Sequence, residues 1–475
     1  MQSFPLTTAA FATLPDGAAT FAHVVDLEAR WNERRAITVT DHGPDGAVDF
    51  DVLLAGGGLS LFYGAYLAQR GLRVAIFDRG EIGRSHREWN ASRRELVPLV
   101  ASGLFTPDEV SALVEADYDH GICRWHGGGT YSVRGVLDCV VAAAPLLATL
   151  VDKARAAGAT LLPHHALTSY ARGKHGIEVT VGGRKLTGRV LLDGTGAASS
   201  HARFDLVCPT VGGVLAGIPF GSADDELDPK RGEILVTTED VEDGRQHIWE
   251  GFPSRDTLTT YLFYYEEPER LPARPLLALY ERFFATLPRY KRGAPTLVKA
   301  TYGYIPAYTR LRPMPASPGD HVLLVGDAAA RHSPLTFCGF GSMLRSFRPV
   351  SDALVACLGE NRLSRRALAA CWTEPPVLKV MGGLTLMMTE RPSHQRDPHA
   401  VNELLDDAFA TLHERGEETY AAFVRDELGF ADFIGFMNAT AKRHPGIYDE
   451  VFTHLTTAEL ARWMFRLGGL GLARR

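Results

Sequence analysis

Residues 52 to 80, "VLLAGGGLSLFYGAYLAQRGLRVAIFDRG", decide how the rest of the chain is read. The apolar run that ends in Gly56, Gly57 and Gly58 has the composition of a buried strand closing on a turn. "LSLFYGAYLAQRG" follows with helical periodicity and stops at Gly71, and "LRVAIFDRG" reads as a second strand. Strand, glycine turn, helix and strand make a βαβ unit. Asp78 ends its second strand at roughly the 20-residue spacing that brings an acid to a ribose. In such a unit Gly56 permits the tight turn and Gly58 lets backbone N–H groups approach a pyrophosphate at the positive end of the helix. Asp78, with Arg79 beside it, is placed to accept ribose hydroxyls. Leu61 stands where a GxGxxG fingerprint has its third glycine. Glycine turns join strands to helices in many folds, so this segment alone leaves a purely structural turn open.

The bulk numbers narrow the field. The 475 residues are 45% hydrophobic and 22% charged, the mixture of an ordinary globular protein long enough for two or three structural units. A net charge of −6 gives no electrostatic case for a nucleic-acid partner, which requires a surplus of Lys and Arg. Six cysteines are scattered without CxxC pairs or zinc-ligand spacing, so neither a disulfide framework nor a metal is expected. No basic-then-apolar leader opens the chain, and no apolar run approaches the ~18 residues of a membrane span. The expectation is a cytoplasmic protein.

A second ligand-facing surface is legible at "VLLVGDAAARHSPLTFCGFGSMLR". Gly326 and Asp327 follow an apolar strand, and the next loop carries Pro334, Gly339, Phe340 and Gly341 before a helix begins. An Asp just after a strand bonds a polyol chain, and a helix N-terminus beyond it favours negative charge on a neighbouring ring. Two such motifs in this order, separated by a β-rich insertion, form the two-site pattern of FAD-binding folds. "LLDGTGAASS" fits as a third FAD segment with Thr195 and Gly196 beside the nucleotide, and Arg134 is placed like the Arg that precedes a cofactor-facing helix. No second glycine fingerprint follows a strand, so no dedicated NAD(P)H domain is evident. The run "LDCVVAAAPLLATLVDKARAAG" reads as a helix broken at Pro145, whereas "GEILVTT", "RQHIWEGFP" and "LTTYLFYYE" alternate as antiparallel strands do.

The fold class expected is therefore α/β: a Rossmann-like FAD-binding domain with an inserted antiparallel β-sheet substrate domain and a helical C-terminal region. The boundaries expected are an N-terminal extension over 1–48, a discontinuous FAD-binding domain over 49–204 and 318–362, a substrate domain over 205–317 and helices over 363–475.

Three longer motifs, "REWNASRREL" (87–96), "IWEGFPSRDTLTTYLF" (248–263) and "GDAAARHSPLTFCGFGSMLR" (326–345), resemble the Cru-type lycopene cyclases and their cyclase-like paralogues over most of the chain. The resemblance implies a flavoprotein of the p-hydroxybenzoate hydroxylase and geranylgeranyl reductase fold group, acting on a lipophilic, carotenoid-like substrate. It also implies a reduced flavin that stabilises a carbocation without net redox, NAD(P)H serving only to keep it reduced. Cys338 stands where the family usually has glycine, and Arg331 and His332 bring positive charge to the flavin loop.

Ring closure of that kind needs a proton donor, and a carboxyl of ordinary pKa is too weak an acid source at neutral pH unless apolar surroundings raise it. Glu250, between Trp249 and the pair Gly251 and Phe252, answers that description, and the resemblance makes it the donor. A strand-end Glu bonded to backbone or to Arg255 is the structural alternative. Asp256 is its possible partner, although "SRDT" also reads as a turn. Trp89, Trp249 and Phe252 are expected to line the substrate channel, and Arg93 to bond FAD or Glu88. A flavin-dependent monooxygenase or reductase shares every FAD motif and stays open, as does a non-catalytic paralogue; no halogenase-type WxWxIP is present. Finally, "AELARWMFRLGGLGLARR" mixes aromatic and aliphatic groups with arginines, the composition of a peripheral membrane contact, against the alternative of a helix packed on the domain.

Overall fold

Four consecutive buried residues, Val52, Leu53, Leu54 and Ala55, end the strand Phe50–Ala55, because this strand lies inside a sheet covered on both faces. A computed structural model describes residues 3–32, 37–85, 87–309, 316–331, 335–336, 339–373, 376–389 and 397–472. The sheet runs in the order Thr38–Thr40, Leu167–Arg172, Ile177–Val181, Arg184–Asp193, Phe50–Ala55, Val74–Phe77 and Thr160–Leu162. Phe50–Ala55, Val74–Phe77 and Thr160–Leu162 are parallel neighbours, as βαβ crossovers require, while Leu167 to Asp193 form antiparallel pairs. Helices Leu61–Gln69, Ala143–Ala156 and Gly339–Gly359 cover one face. Pro145 does not break its helix. The run before it splits into a strand, Cys139–Val141, and a helix that starts at Ala143, so the proline falls in the first turn where its missing N–H costs nothing.

The expected antiparallel sheet is present and larger than the insertion that suggested it, with one parallel pair where His120–Arg124 joins Arg231–Val236. Its order is Thr296–Ala307, Leu206–Ala216, Thr257–Phe263, Ile248–Pro253, Arg231–Val236, His120–Arg124 and Thr130–Val133. The last two strands come from inside 49–204, so that boundary is corrected: the segment leaves the cofactor sheet, adds two strands to the substrate sheet and returns. Nor do residues before 49 form a separate extension. Phe11 and Val24 of the first two helices and Leu14 of the turn between them join helix Pro275–Tyr290 in covering one face of the substrate sheet. The other face packs on C-terminal helices through Val380, Met381, Leu404 and Trp463. Among the described residues no helix is long and apolar enough to cross a membrane.

Candidate functional site

Parallel pairing brings three glycine-bearing turns to one end of the cofactor sheet. Asp193 lies opposite Ala55 on one side and Leu324 on the other, so the turns after Ala55, Asp193 and Leu324 are neighbours in space. Gly56 has φ of 115°, and a Cβ there would meet Gly194 O at 2.5 Å. Only glycine fits this turn. The Gly57 N–H donates to Asp78 Oδ2 and the Gly80 N–H to Asp78 Oδ1, each at 2.7 Å, which pins the carboxylate beside the glycine turn. A Cβ on Gly58, by contrast, would find no atom within 4 Å. Its bareness serves nothing inside the protein and leaves room at the N-terminus of helix Leu61–Gln69.

Across from it, Asp193 accepts hydrogen bonds from Thr195 N–H (3.1 Å), Thr195 Oγ1 (2.6 Å) and Ser199 Oγ (2.5 Å), holding the turn that carries Thr195 and Gly196. Gly196 approaches Asp327 Cβ, where a Cβ of its own would stand 3.9 Å away. Gly326 has φ of 58° and open space where a side chain would be. The Asp327 carbonyl accepts a hydrogen bond from the Tyr308 hydroxyl. Bare backbone at Gly58 and Gly326 faces open space at this end of the sheet, beside the fixed carboxylate of Asp78, and the arrangement fits a dinucleotide. Arg79 is exposed and lies within electrostatic reach of Arg30 and Asp26 on helix Gly17–Asn32. Pro334, His332 and Cys338 lie outside the described residues.

The acid sits on the substrate sheet. Along Ile248–Pro253, side chains alternate between faces, so Ile248, Glu250 and Phe252 share one face and Trp249 takes the other. Glu250 stands opposite Tyr261 of the next strand, and its Oε1 accepts a hydrogen bond from Asn90 Nδ2 at 3.0 Å. The residue is half-buried, and enough protein encloses its carboxyl that burial pushes the pKa up to about 7 against the opposing pull of the Asn90 amide. Asn90 comes from the short strand Trp89–Ala91, whose Trp89 stacks on Phe340 at a centroid separation of 5.2 Å. Phe340 opens the helix Gly339–Gly359 that follows the Gly326 turn. Strand Trp89–Ala91 thus touches both the cofactor end and the acid.

Several expected site residues stand elsewhere. Trp249 is fully buried on the far face, stacked on Tyr290 at 4.5 Å, and is core rather than channel wall because a strand cannot present neighbours to one side. Asp256 is exposed in the hairpin turn, where Ser254 N–H bonds Thr257 O, and does not join Glu250. Arg93 is taken up by Asp117, with its Nη2 2.6 Å from Oδ2, while Glu88 pairs with Lys299 instead. Arg134 is exposed in the bend after Thr130–Val133. Gly341 is bare for the sake of Glu95, whose carboxylate fills the place of a Cβ and pairs with Arg345. Phe252 keeps to the Glu250 face, buried against Tyr261. The partnership of Asn90 with Glu250 escaped sequence reading because the two are far apart in the chain; the alternation in "REWNAS" was its only sign.

The chain matches no protein-family model and no curated protein. Its fold has counterparts among solved structures. Halogenase PltM, in a complex with phloroglucinol and FAD, superposes with a TM-score of 0.56 at 13% identity, over 90% of this chain and 92% of that one. A geranylgeranyl bacteriochlorophyll reductase-like protein from Thermoplasma acidophilum gives 0.55 at 15%, over 86% and 100%. p-Nitrophenol 4-monooxygenase PnpA from Pseudomonas putida DLL-E4 gives 0.54 at 16%, over 82% and 99%. The chain has the fold of the p-hydroxybenzoate hydroxylase-like flavoenzymes. At these identities the fold is what is shared.

Proposed function

We propose that this chain is an FAD-dependent enzyme in which Glu250 is the general acid, and that it closes the acyclic ends of a carotenoid-like polyene without net redox, as a lycopene cyclase does. The observation that carries the reading is a carboxyl fixed by Asn90 and raised by burial to a pKa of about 7, fit to be protonated at neutral pH. The backbone at Gly56, Gly57, Gly58, Gly196 and Gly326 would hold FAD, with Asp78 accepting from the ribose and Asp327 from the ribityl chain. When bound reduced and anionic, FAD would supply negative charge that stabilises a developing cation. Glu250 gives its proton to the terminal alkene. Phe252, on the same strand face as Glu250, keeps water from the cation, and loss of a ring proton returns the proton count to where it began. Proton in and proton out leave no electrons to account for, so NAD(P)H is needed only to reduce the flavin.

A second reading, a flavin-dependent oxidoreductase on a lipophilic substrate, is favoured by what the three similar structures are called: a halogenase, a reductase-like protein and a monooxygenase. Expression in a lycopene-accumulating bacterial host, followed by pigment analysis, tests the first reading, with a cyclised carotene expected. Purified enzyme should form product without consuming NADPH or oxygen in proportion to it. Proportional consumption would overturn cyclisation in favour of the second reading.

A further inference from the structure

A carboxylic acid delivers its proton from one oxygen only, and something must decide which. The strand Trp89–Ala91 and the residue before it are clamped to the substrate sheet by the Tyr261 hydroxyl, which accepts from Glu88 N–H at 2.8 Å and donates to Glu88 O at 3.1 Å. The Glu88 carboxylate is occupied by the Lys299 ammonium. Trp89 turns toward Phe340, so Asn90, one residue on, turns to the opposite side, where Glu250 stands. Backbone and neighbours therefore hold the Asn90 amide in place, and its Nδ2 donates to Glu250 Oε1.

The other groups that face Glu250 do not compete. Tyr118, just after the strand Val114–Asp117, feels the Glu250 charge, but its hydroxyl donates to Pro253 O at 2.7 Å. Tyr261 feels it too and is committed to Glu88. Among the described residues no cation acts on Glu250 strongly enough to register beside burial and Asn90. An oxygen that accepts an amide N–H is a poor seat for the acid proton, which leaves Oε2.

We infer that Asn90 is a positioning residue for Glu250: by holding Oε1 it confines the transferable proton to Oε2 and sets the pH at which the acid is charged. The role rests on the reading of Glu250 as the acid, and it is tested without turnover. In the full-length protein, the infrared carboxylic C=O band that disappears in Glu250→Gln is titrated against pH. An N–H donated to a carboxylate favours the charged form, so its removal raises the pKa. In Asn90→Leu the midpoint should rise by about one unit, and Asn90→Gln should recover part of that shift. Circular dichroism checks that each variant folds. Should the leucine variant not fold, Asn90→Asp, of the same shape, puts a second carboxyl beside the first and should also raise the midpoint. A midpoint unchanged in the folded variants would overturn the role. So would a fall in Asn90→Leu, which would mean that the amide presents its oxygen. The pigment assay bears on the cyclase reading alone, so a failed conversion with the titration shift intact sinks that reading and leaves the Asn90–Glu250 pairing standing.

Discussion

At the scale of single residues, two glycines in one turn are bare for different reasons, and substitution separates them. Gly58 faces open space, so Gly58→Leu should leave thermal stability near that of the parent while abolishing flavin retention, read from the 450 nm absorbance of the purified protein. Gly56 is held at positive φ against Gly194 O, so Gly56→Ala should cost about 1–3 kcal/mol of stability by denaturant melt, whatever happens to the flavin. Glu250 carries the pH dependence. Its pKa is raised by burial to about 7, so the acid is protonated below that pH and lost above it. Conversion should therefore be at a plateau below pH 7 and fall tenfold per unit above it. A raised folded-state pKa also means that stability present below the unfolded value, near 4.5, drains away as pH rises toward 7. Glu250→Gln, which cannot ionise, should abolish conversion and keep its flavin. Its stability should exceed that of the parent above pH 7, by at most about 3 kcal/mol on the linkage between pKa shift and stability.

At the scale of elements, periodicity decides which neighbour in a motif does chemistry and which holds the fold. One strand sends Glu250 toward Asn90 and Trp249 against Tyr290 and Phe283, although both belong to one motif. The last helix, Thr457–Leu472, divides in the same way. Trp463 is 4% exposed and its Nε1 donates to Val380 O at 3.0 Å, whereas Phe465 is 84% exposed and Met464 51%. The tryptophan belongs to the core and not to any membrane contact. Trp463→Ala should lower stability by about 3 kcal/mol, the usual cost of emptying an aromatic site. The double substitution Met464→Ser, Phe465→Ser should leave the melt unchanged. If the helix touches a bilayer, that double variant should lose co-sedimentation with anionic liposomes; equal sedimentation would remove the helix from membrane contact.

At the scale of the whole molecule, the substrate sheet depends on both ends of the chain. Glu28, fully buried, accepts the N–H groups of Leu276 at 2.8 Å and Leu277 at 3.1 Å, capping helix Pro275–Tyr290 from a distant segment. Phe11 and Val24 pack beneath that helix. Removing residues 1–48 should expose one face of the sheet and yield an aggregating protein, and Glu28→Ala should lower the melting temperature of the full chain by several degrees, since two helix-end donors lose their acceptor inside the core.

The sequence by itself determined the βαβ unit, the late Gly326–Asp327 turn, the antiparallel strands and the helical C-terminal third, because each is written in local periodicity and in glycines that no other residue replaces. It also singled out Glu250, although of its apolar neighbours in sequence only Phe252 shares its face of the strand. Tertiary structure alone decided the rest. That His120–Arg124 and Thr130–Val133 cross to the substrate sheet, that Arg93 is spent on Asp117 and that Asn90 reaches Glu250 are all long-range pairings. Such pairings depend on which faces two distant elements turn toward each other, and no short window of sequence holds both partners.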